Sequence, residues 1–179
     1  MTTDPSPTAQ PGVAQRRAEI QRELGLTGAA DPELDAYAAR LAQEEGVPYA
    51  MVNIFTPDQQ QFLGLHAPAD PDAPPVGRAM PLNHGFCRVV VERGLPLVLP
   101  DVFVAPRFAG DPVVDLLGIR TYTGAPLIHD GVVLGTVCAV GPEEKPQATG
   151  KASLALIKQI RDEVMAHILQ KAGQQPPSP

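Results

Sequence analysis

The chain has 179 residues and 44% of them are hydrophobic, so it suits one globular domain with a sizeable core and tails. Its formal net charge is -6 and it has no block of Lys or Arg, which argues against a nucleic-acid-binding protein because such proteins need a basic surface. No secretion signal or membrane-spanning apolar run occurs, and two distant cysteines make no disulfide framework, so we expect a cytoplasmic protein without a membrane partner.

Prolines cluster at both ends of the chain. Residues 1–12 and 171–179 are polar and rich in proline, and we predict that they are disordered tails. A short helix and a linker are predicted in residues 13–30. The globular domain is predicted to occupy residues 31–170.

The first helix of the domain has clear start and stop signals. Asp31 is a good N-cap, and Pro32 suits the first turn because its missing N–H is not needed there. Gly46 is predicted to end this helix. Its apolar positions recur on one face: Leu34, Tyr37, Ala38 and Leu41.

Short strands and loops alternate in the middle of the chain. Strands are predicted at residues 49–55 and 61–66, joined by a tight turn, and again at residues 97–99. The proline-rich stretch 68–81 is predicted to be a loop.

Two short helices are predicted between these strands and the hairpin that follows. Asn83 is the expected cap of a helix through Val91, and Asp111 is the expected cap of a helix that closes at Gly118. The run of valines at residues 89–91 is poorly suited to a helix because β-branched side chains are stiff there.

The strongest local signal is a β-hairpin. Residues 122–128 and 132–140 are β-prone runs, and Asp130-Gly131 between them is the dipeptide most typical of a two-residue hairpin turn. A long amphipathic helix follows, opening at Thr149 or Ser153. Its apolar residues are spaced by three and four: Leu154, Ile157, Ile160, Val164 and Ile168.

Strands that pair locally, with helices before and after them, indicate an α+β fold. We predict a central, mainly antiparallel sheet of five or six strands. The segments 85–87, 106–108 and the hairpin, in that order, resemble the GAF domain over roughly residues 31–169. The resemblance implies terminal helices packed on one face of the sheet. It also implies short helices and loops over a ligand pocket on the other face.

The resemblance also implies the residues of the pocket, because each lies in or beside a matching motif. They are Phe86, Cys87, Asp101, Arg107, Phe108, Tyr122, Thr136 and Cys138. Packing alone would also account for the aromatic residues and for cysteine, which behaves as a small hydrophobe when buried. Phe86 and Phe108 are expected on the same side of the sheet.

The two charged members of this set have two interpretations. Asp101 is expected to cap backbone N–H groups and to pair with Arg107, as a structural contact. Alternatively, Arg107 anchors a carboxylate or phosphate of the ligand, for which its planar fork is suited. Arg78 and Arg120 are weaker candidates of the same kind.

This sequence matches the catalytic and cofactor-binding branches of the GAF family poorly. Free methionine sulfoxide reductases resemble GAF domains with a nucleophilic cysteine, and residues 105–109, where it would fall, contain none. Neither cysteine has the neighbouring His of a bilin site, and no cyclic-nucleotide signature can be placed. His84 and Cys87, three apart on a predicted helix face, are too few for a structural zinc site. We therefore predict no enzyme activity and no metal, and the cofactor stays unknown.

The sequence thus predicts a sensor that binds an unknown small molecule and signals to a partner protein through its terminal helices. The short tail beyond the last predicted helix supports a partner in trans. The alternatives are a redox-responsive protein that uses Cys87 and Cys138, and a haem sensor with one axial histidine. We also predict a homodimer through the terminal helices. If the apolar stripes of both helices pack entirely against the sheet, the protein is instead a monomer.

Neither cysteine is predicted to be a catalytic nucleophile. Cys138 lies between apolar neighbours on a strand, so burial should raise its pKa. Cys87 is the more reactive of the two in this interpretation, because it falls near a helix N-terminus.

Overall fold

A six-stranded sheet lies at the centre of the protein. In the computed structural model, which describes residues 11–174, its strands run in the order β3-β2-β1-β6-β5-β4, and every neighbouring pair is antiparallel. The strands are β1 Tyr49–Phe55, β2 Gln60–His66, β3 Ala79–Met80, β4 Leu97–Leu99, β5 Thr121–His129 and β6 Val132–Gly141. The predicted α+β fold class with a mainly antiparallel sheet is confirmed.

Helices precede, interrupt and follow these strands. The α-helices are α1 Pro11–Glu23, α2 Pro32–Glu45, α3 Cys87–Arg93, α4 Pro106–Ala109, α5 Pro112–Leu117 and α6 Gly150–Gly173. Single 3-10 turns lie at Val102–Val104 and Gln147–Thr149. No helix in the described range 11–174 combines the length and the apolarity that crossing a membrane requires.

The predicted hairpin is formed by β5 and β6. The two strands pair from Thr121 opposite Gly141 to His129 opposite Val132. Asp130 and Gly131 have φ angles of 51° and 73°, so both turn residues adopt the left-handed conformation that Asp-Gly tolerates.

The predicted cap of α2 is also present. The Asp31 carboxylate accepts a hydrogen bond from the Glu33 N–H at 2.9 Å, and Gly46 ends the helix in the left-handed conformation. This helix lies very close to β2, since a Cβ at Gly64 would be 2.5 Å from the Leu34 carbonyl oxygen.

The sheet separates two cores of different composition. We call the face under α2 and α6 the helix face. Its core is aliphatic, with Leu34, Leu41, Val52, Ile54, Leu127, Val137, Ile157, Ile160 and Val164 among its buried residues. The other face, covered by α3, α4, α5 and loops, is called the loop face. Its core includes Met51, Phe62, Phe86, Cys87, Phe108, Tyr122 and Cys138.

One buried carboxylate joins four segments at the edge of the helix face. Glu45, at the end of α2, accepts hydrogen bonds from Thr123 on β5 at 3.2 Å and from Ser153 on α6 at 2.6 Å. Lys145, in the connection between β6 and α6, donates to the same carboxylate at 2.7 Å. One oxygen of the carboxylate, Oε1, therefore accepts three hydrogen bonds, one of them from a cation, which offsets the cost of burying the charge.

Helix α1 begins at Pro11, two positions before its expected start. Its Gln21 side chain donates to the carbonyls of Phe55 and Leu134 at 2.9 and 3.1 Å, which fastens the helix to the ends of two strands. Most of both predicted tails, residues 1–10 and 175–179, lies outside the described residues.

The prediction that Asn83 caps a helix was wrong, because α3 begins at Cys87. Residues 82–86 form a turn that the side chains of Gln60 and Asp111 hold through three hydrogen bonds. The Gln60 amide donates to the carbonyls of Pro81 and His84 at 2.9 and 2.8 Å, and the Gly85 N–H donates to Asp111 at 2.9 Å. These long-range contacts satisfy the backbone groups that a helical turn would otherwise use. His84 is therefore outside the helix and does not share a helix face with Cys87.

The proline-rich stretch predicted as a loop contains one short piece of sheet. Ala79 and Met80 pair with Gln61 and Gln60 as strand β3. Asp111 caps α5 by accepting from the Val113 N–H at 3.1 Å, as predicted.

Candidate functional site

A small cavity lies in the core of the loop face, and we call it the inner cavity. It has a volume of about 50 Å³ and is bounded by strands β1, β2, β5 and β6 and by helices α3 and α5. Its lining comprises Met51, Asn53, Phe62, Val76, Met80, Gly85, Phe86, Cys87, Val113, Leu117, Ile119, Tyr122, Cys138 and Val140. Nearly all of these groups are apolar, and no side chain in the set carries a formal charge in its ordinary protonation state.

A larger and more open cavity, the outer cavity, lies next to it. It has a volume of about 410 Å³ and is bounded by the segment 74–81, by His84 and by helix α5. The residues common to both linings are Phe62, Val76, Met80, Val113 and Leu117. These side chains form the partition between the outer cavity and the inner one.

The two cysteines meet at the inner cavity. The Cys87 and Cys138 Sγ atoms lie 3.6 Å apart, although the residues are 51 positions apart in the sequence. Cys87 is the first residue of α3 and Cys138 lies in the middle of β6, and both side chains are buried. The Cys138 Sγ also lies 3.9 Å from the Met51 Sδ on the neighbouring strand.

Tyr122 brings a hydroxyl group to this pair. Its oxygen lies 3.3 Å from the Cys87 Sγ. The ring crosses over Gly124, two residues further along β5, where an added Cβ would collide with the Tyr122 hydroxyl. The glycine in Tyr122-Thr123-Gly124 is therefore what allows the tyrosine to reach the sulfur.

The surroundings drive the two thiols apart in acidity. The hydrogen bond between Cys87 and Cys138, with smaller contributions from Thr136 and Tyr122, outweighs the effect of burial. It lowers the pKa of Cys87 to about 7. The same hydrogen bond and burial raise the pKa of Cys138 well above its ordinary value, in the predicted direction. Burial raises the pKa of Tyr122 as well. The first proton lost from the pair therefore comes from Cys87.

Aromatic rings hold α3 and α4 onto the sheet. The Phe86 ring makes edge contacts with Tyr122 and Phe108, at centroid distances of 5.4 and 5.6 Å. Phe108 is thus on the same side of the sheet as Phe86, but it packs behind it. It lines neither the inner cavity nor the outer one.

Asp101 and Arg107, expected in the pocket and expected to pair, do neither. Asp101 caps the Phe103 N–H at 3.0 Å, and its carboxylate pairs with Arg120 at 2.8 Å. The hydrogen bond from Arg120 holds the pKa of Asp101 below its ordinary value. The Arg107 guanidinium instead lies 4.6 Å from the Phe108 ring centroid.

A hydrogen bond of the main chain explains why Asp101 pairs with Arg120 and not with Arg107. The Val102 N–H donates to the Arg120 carbonyl at 2.8 Å, which brings the start of β5 alongside Asp101. Arg120 therefore reaches the carboxylate, whereas Arg107 points away from it. Arg78, the other arginine considered, pairs with Asp35 at 3.0 Å.

Thr136 belongs to a buried chain of hydrogen bonds below the inner cavity. Its hydroxyl and its N–H both donate to the side-chain oxygen Oδ1 of Asn53, at 2.8 and 2.9 Å. The Asn53 amide in turn donates to Gln60 at 3.2 Å, and Gln60 holds the turn 82–86. The sequence pattern did not lead us to predict Asn53 and Gln60 as residues of the site. A polar side chain amid the apolar run Tyr49–Phe55, whose strand is buried throughout, was the available signal.

A six-stranded antiparallel sheet with terminal helices on one face and a covered cavity on the other defines a class of small α+β domains. The sequence model of the GAF domain matches residues 30–168, so the chain belongs to the GAF domain family. GAF domains are commonly sensor or regulatory domains. No curated protein sequence matches this chain.

Solved structures support the fold. The GAF domain of an Acinetobacter phosphoenolpyruvate-protein phosphotransferase has a TM-score of 0.61 at 14% identity, covering 94% of this chain and 99% of that one. The phycoerythrobilin-bound GAF domain of a cyanobacterial phytochrome has a TM-score of 0.59 at 15% identity, with coverages of 97% and 98%. Free methionine-R-sulfoxide reductase from Neisseria meningitidis, in complex with its substrate, has a TM-score of 0.57 at 17% identity, with coverages of 95% and 95%. At these identities the likeness establishes the fold alone.

Proposed function

We propose that this GAF domain is a non-enzymatic sensor that binds a small, uncharged and largely apolar molecule in the inner cavity. The observation that carries the proposal is the chemistry of the lining. Asn53 and Tyr122 supply the only amide and hydroxyl side chains, and the two thiols are the other polar groups. An anionic ligand would lose its hydration there without gaining a cationic partner, which is costly in a buried site.

The size and chemistry of the inner cavity argue against the larger ligands found in this fold. A single water in the liquid takes about 30 Å³, so a cavity of about 50 Å³ holds only a few heavy atoms. A tetrapyrrole would require the partition to the outer cavity to open. His84 lies on the outer cavity, and no histidine of the described residues lines the inner one, so a haem there would lack an axial ligand.

The resemblance to a reductase does not extend to its chemistry. The segment expected to hold the nucleophile in that class, residues 105–109, consists of Ala105 and helix α4 with Phe108 packed inward, and it has no cysteine. A thiol nucleophile has no substitute among these side chains. This favours a binding role over catalysis.

The strands offer a route for the signal. Cys138 and Val140 of β6 face the inner cavity, while Val137 and Ala139 between them belong to the core of the helix face. A ligand that displaces β6 therefore acts on the packing of α6. We propose that α2 and α6 pass this change to a second copy of the chain or to a partner protein in the cytoplasm.

Native mass spectrometry of the protein as purified tests the ligand class. We expect a retained small molecule without phosphate or carboxylate, and in its absence saturable binding of xenon detected by xenon NMR. Val140→Leu should fill the inner cavity and abolish both signals. Val132→Leu, at the outer end of the same strand, is the matched control and should leave them unchanged. A retained anionic compound, or the visible absorbance of a haem or bilin, would refute the proposal.

A further inference from the structure

The two cysteines of the chain form a pair that the fold assembles at the inner cavity. Cys87 comes from a helix and Cys138 from a strand, yet their sulfurs are 3.6 Å apart. Both line the inner cavity, so a small molecule within it has access to both residues. A disulfide needs a sulfur–sulfur distance of about 2 Å, so the two sulfurs must approach each other by about 1.6 Å.

We propose that Cys87 and Cys138 are a reversible dithiol that a small neutral hydroperoxide, reaching the inner cavity, oxidises to an intramolecular disulfide. This inference uses the same cavity as the proposed ligand site but does not depend on the ligand.

Cys87 is the attacking residue. Its pKa is lowered to about 7, so it supplies the thiolate at neutral pH, whereas the pKa of Cys138 is raised. The Tyr122 hydroxyl, 3.3 Å from the Cys87 Sγ, is placed to donate a hydrogen bond to this thiolate. Cys138 stays protonated until the second step and acts as the resolving thiol.

The reaction balances with hydrogen peroxide as the oxidant. The Cys87 thiolate attacks one peroxide oxygen, the O–O bond breaks, and the departing hydroxide takes up the proton that Cys87 released, which gives water and a sulfenic acid. The Cys138 sulfur then attacks the Cys87 sulfur, the S–O bond breaks, and hydroxide leaves with the Cys138 proton as a second water. The two thiols lose two electrons, which reduce the peroxide. A dithiol reductant restores the pair.

The cavities select among oxidants by size and charge. Access to the sulfurs from the outer cavity passes Val76, Met80 and Leu117, which are apolar. Hydrogen peroxide is neutral and hardly larger than water, so it fits a space of about 50 Å³. Glutathione disulfide is large and charged and does not fit.

Oxidation of the reduced full-length protein with hydrogen peroxide tests the proposal. Thiols are counted with a maleimide reagent after denaturation, and intact mass is measured in parallel. We expect both thiols to disappear together with the loss of two hydrogen atoms, a peptide that links Cys87 to Cys138, no cross-linked dimer, and full reversal by dithiothreitol. Glutathione disulfide should react at least tenfold more slowly.

Conservative variants separate the two roles. Cys138→Ser should stop at a sulfenic acid on Cys87, seen as the gain of one oxygen in the intact mass, and Cys87→Ser should leave Cys138 as a free thiol under the same conditions. Tyr122→Phe keeps the ring that packs on Phe86 and removes the hydroxyl, so disulfide formation should slow severalfold while the circular dichroism spectrum is unchanged.

Three results would overturn the proposal. One is that both native thiols survive peroxide that oxidises the urea-unfolded chain. Another is that the disulfides formed are between chains. The third is that Cys87→Ser and Cys138→Ser react with peroxide equally fast. Because none of these assays uses the sensor ligand, a failure here is distinguishable from a failure of the ligand-binding proposal.

Discussion

The two faces of the sheet are closed by different means, and the inner cavity lies on the face that short elements close. On the helix face, two helices of 14 and 24 residues present regular aliphatic stripes to the strands. On the loop face, helices of four to seven residues are fixed by caps, turns and aromatic contacts. Long regular helices pack side chains in repeating rows, whereas short elements meet at irregular angles and leave space between them. The cavities on the loop face follow from that difference.

The largest expected effect compares equal truncations on the two faces. Ile157→Ala, in the aliphatic core of the helix face, should lower the free energy of unfolding by about 4 kcal/mol. Ile119→Ala should cost about 2 kcal/mol, because Ile119 lines the inner cavity and has fewer neighbours to lose. Both isoleucines are buried, with exposures of 0% and 3%, so burial alone predicts no difference.

Urea unfolding of the two variants and the unchanged protein measures this difference. Equal costs for Ile157→Ala and Ile119→Ala would contradict the idea that the loop face is incompletely packed. Ile119→Ala should also increase xenon uptake, because it enlarges the inner cavity.

A smaller effect is expected from the helix caps of the two faces. Asp111→Ala should cost about 2 kcal/mol, since it removes the cap of α5 and also leaves the buried Gly85 N–H without its acceptor. Asp31→Ala should cost about 1 kcal/mol. The Asp31 carboxylate caps α2 and pairs with the exposed Lys171, and an exposed pair adds little.

Thermal unfolding monitored by circular dichroism ranks these two variants. Asp111→Asn, which keeps an acceptor oxygen, serves as the rescue control and should recover most of the loss. If Asp31→Ala proved the more damaging change, the short elements of the loop face would not depend on their caps as we infer.

The smallest effect concerns pH and is confined to the loop face. Because the pKa of Cys87 is lowered to about 7, its thiolate fraction rises as pH increases through that value. The rate of disulfide formation with hydrogen peroxide should therefore rise about tenfold between about pH 6 and about pH 8, with an inflection near 7. An unperturbed thiol would place the inflection near 8.5 instead. Thiol counts at timed intervals across a pH series measure it.

Much of the fold follows from local rules, and α2, α6 and the hairpin show why. Each is specified by neighbouring residues: Asp31 with Pro32 for the start of α2, Asp130 with Gly131 for the turn of the hairpin. Such signals act over a few positions, where the backbone has few alternatives. The start of α3 could not be predicted from neighbouring residues, because Gln60 and Asp111, far away in the sequence, determine the turn before it.

The candidate site was predictable only in part, for the same reason. Phe86, Cys87, Tyr122 and Cys138 lie in recognisable motifs, and the structure brings them around one cavity. The distance between the two sulfurs is set by how α3 docks on β6, which no local pattern encodes. Likewise, Arg120 replaced Arg107 as the partner of Asp101 because a backbone hydrogen bond set the position of β5.

The buried Glu45 carboxylate has a mechanical consequence. Because it holds Thr123, Lys145 and Ser153 together, the beginning of α6 is tied to the sheet and to the end of α2. Sliding α6 along its axis would break the buried hydrogen bond between Ser153 and Glu45, whereas swinging the far end of the helix about this point would leave that bond intact. The first turn of the long helix is thus a pivot anchored in the core, and movement of its far end is restrained by ion pairs such as that of Lys171 with Asp31.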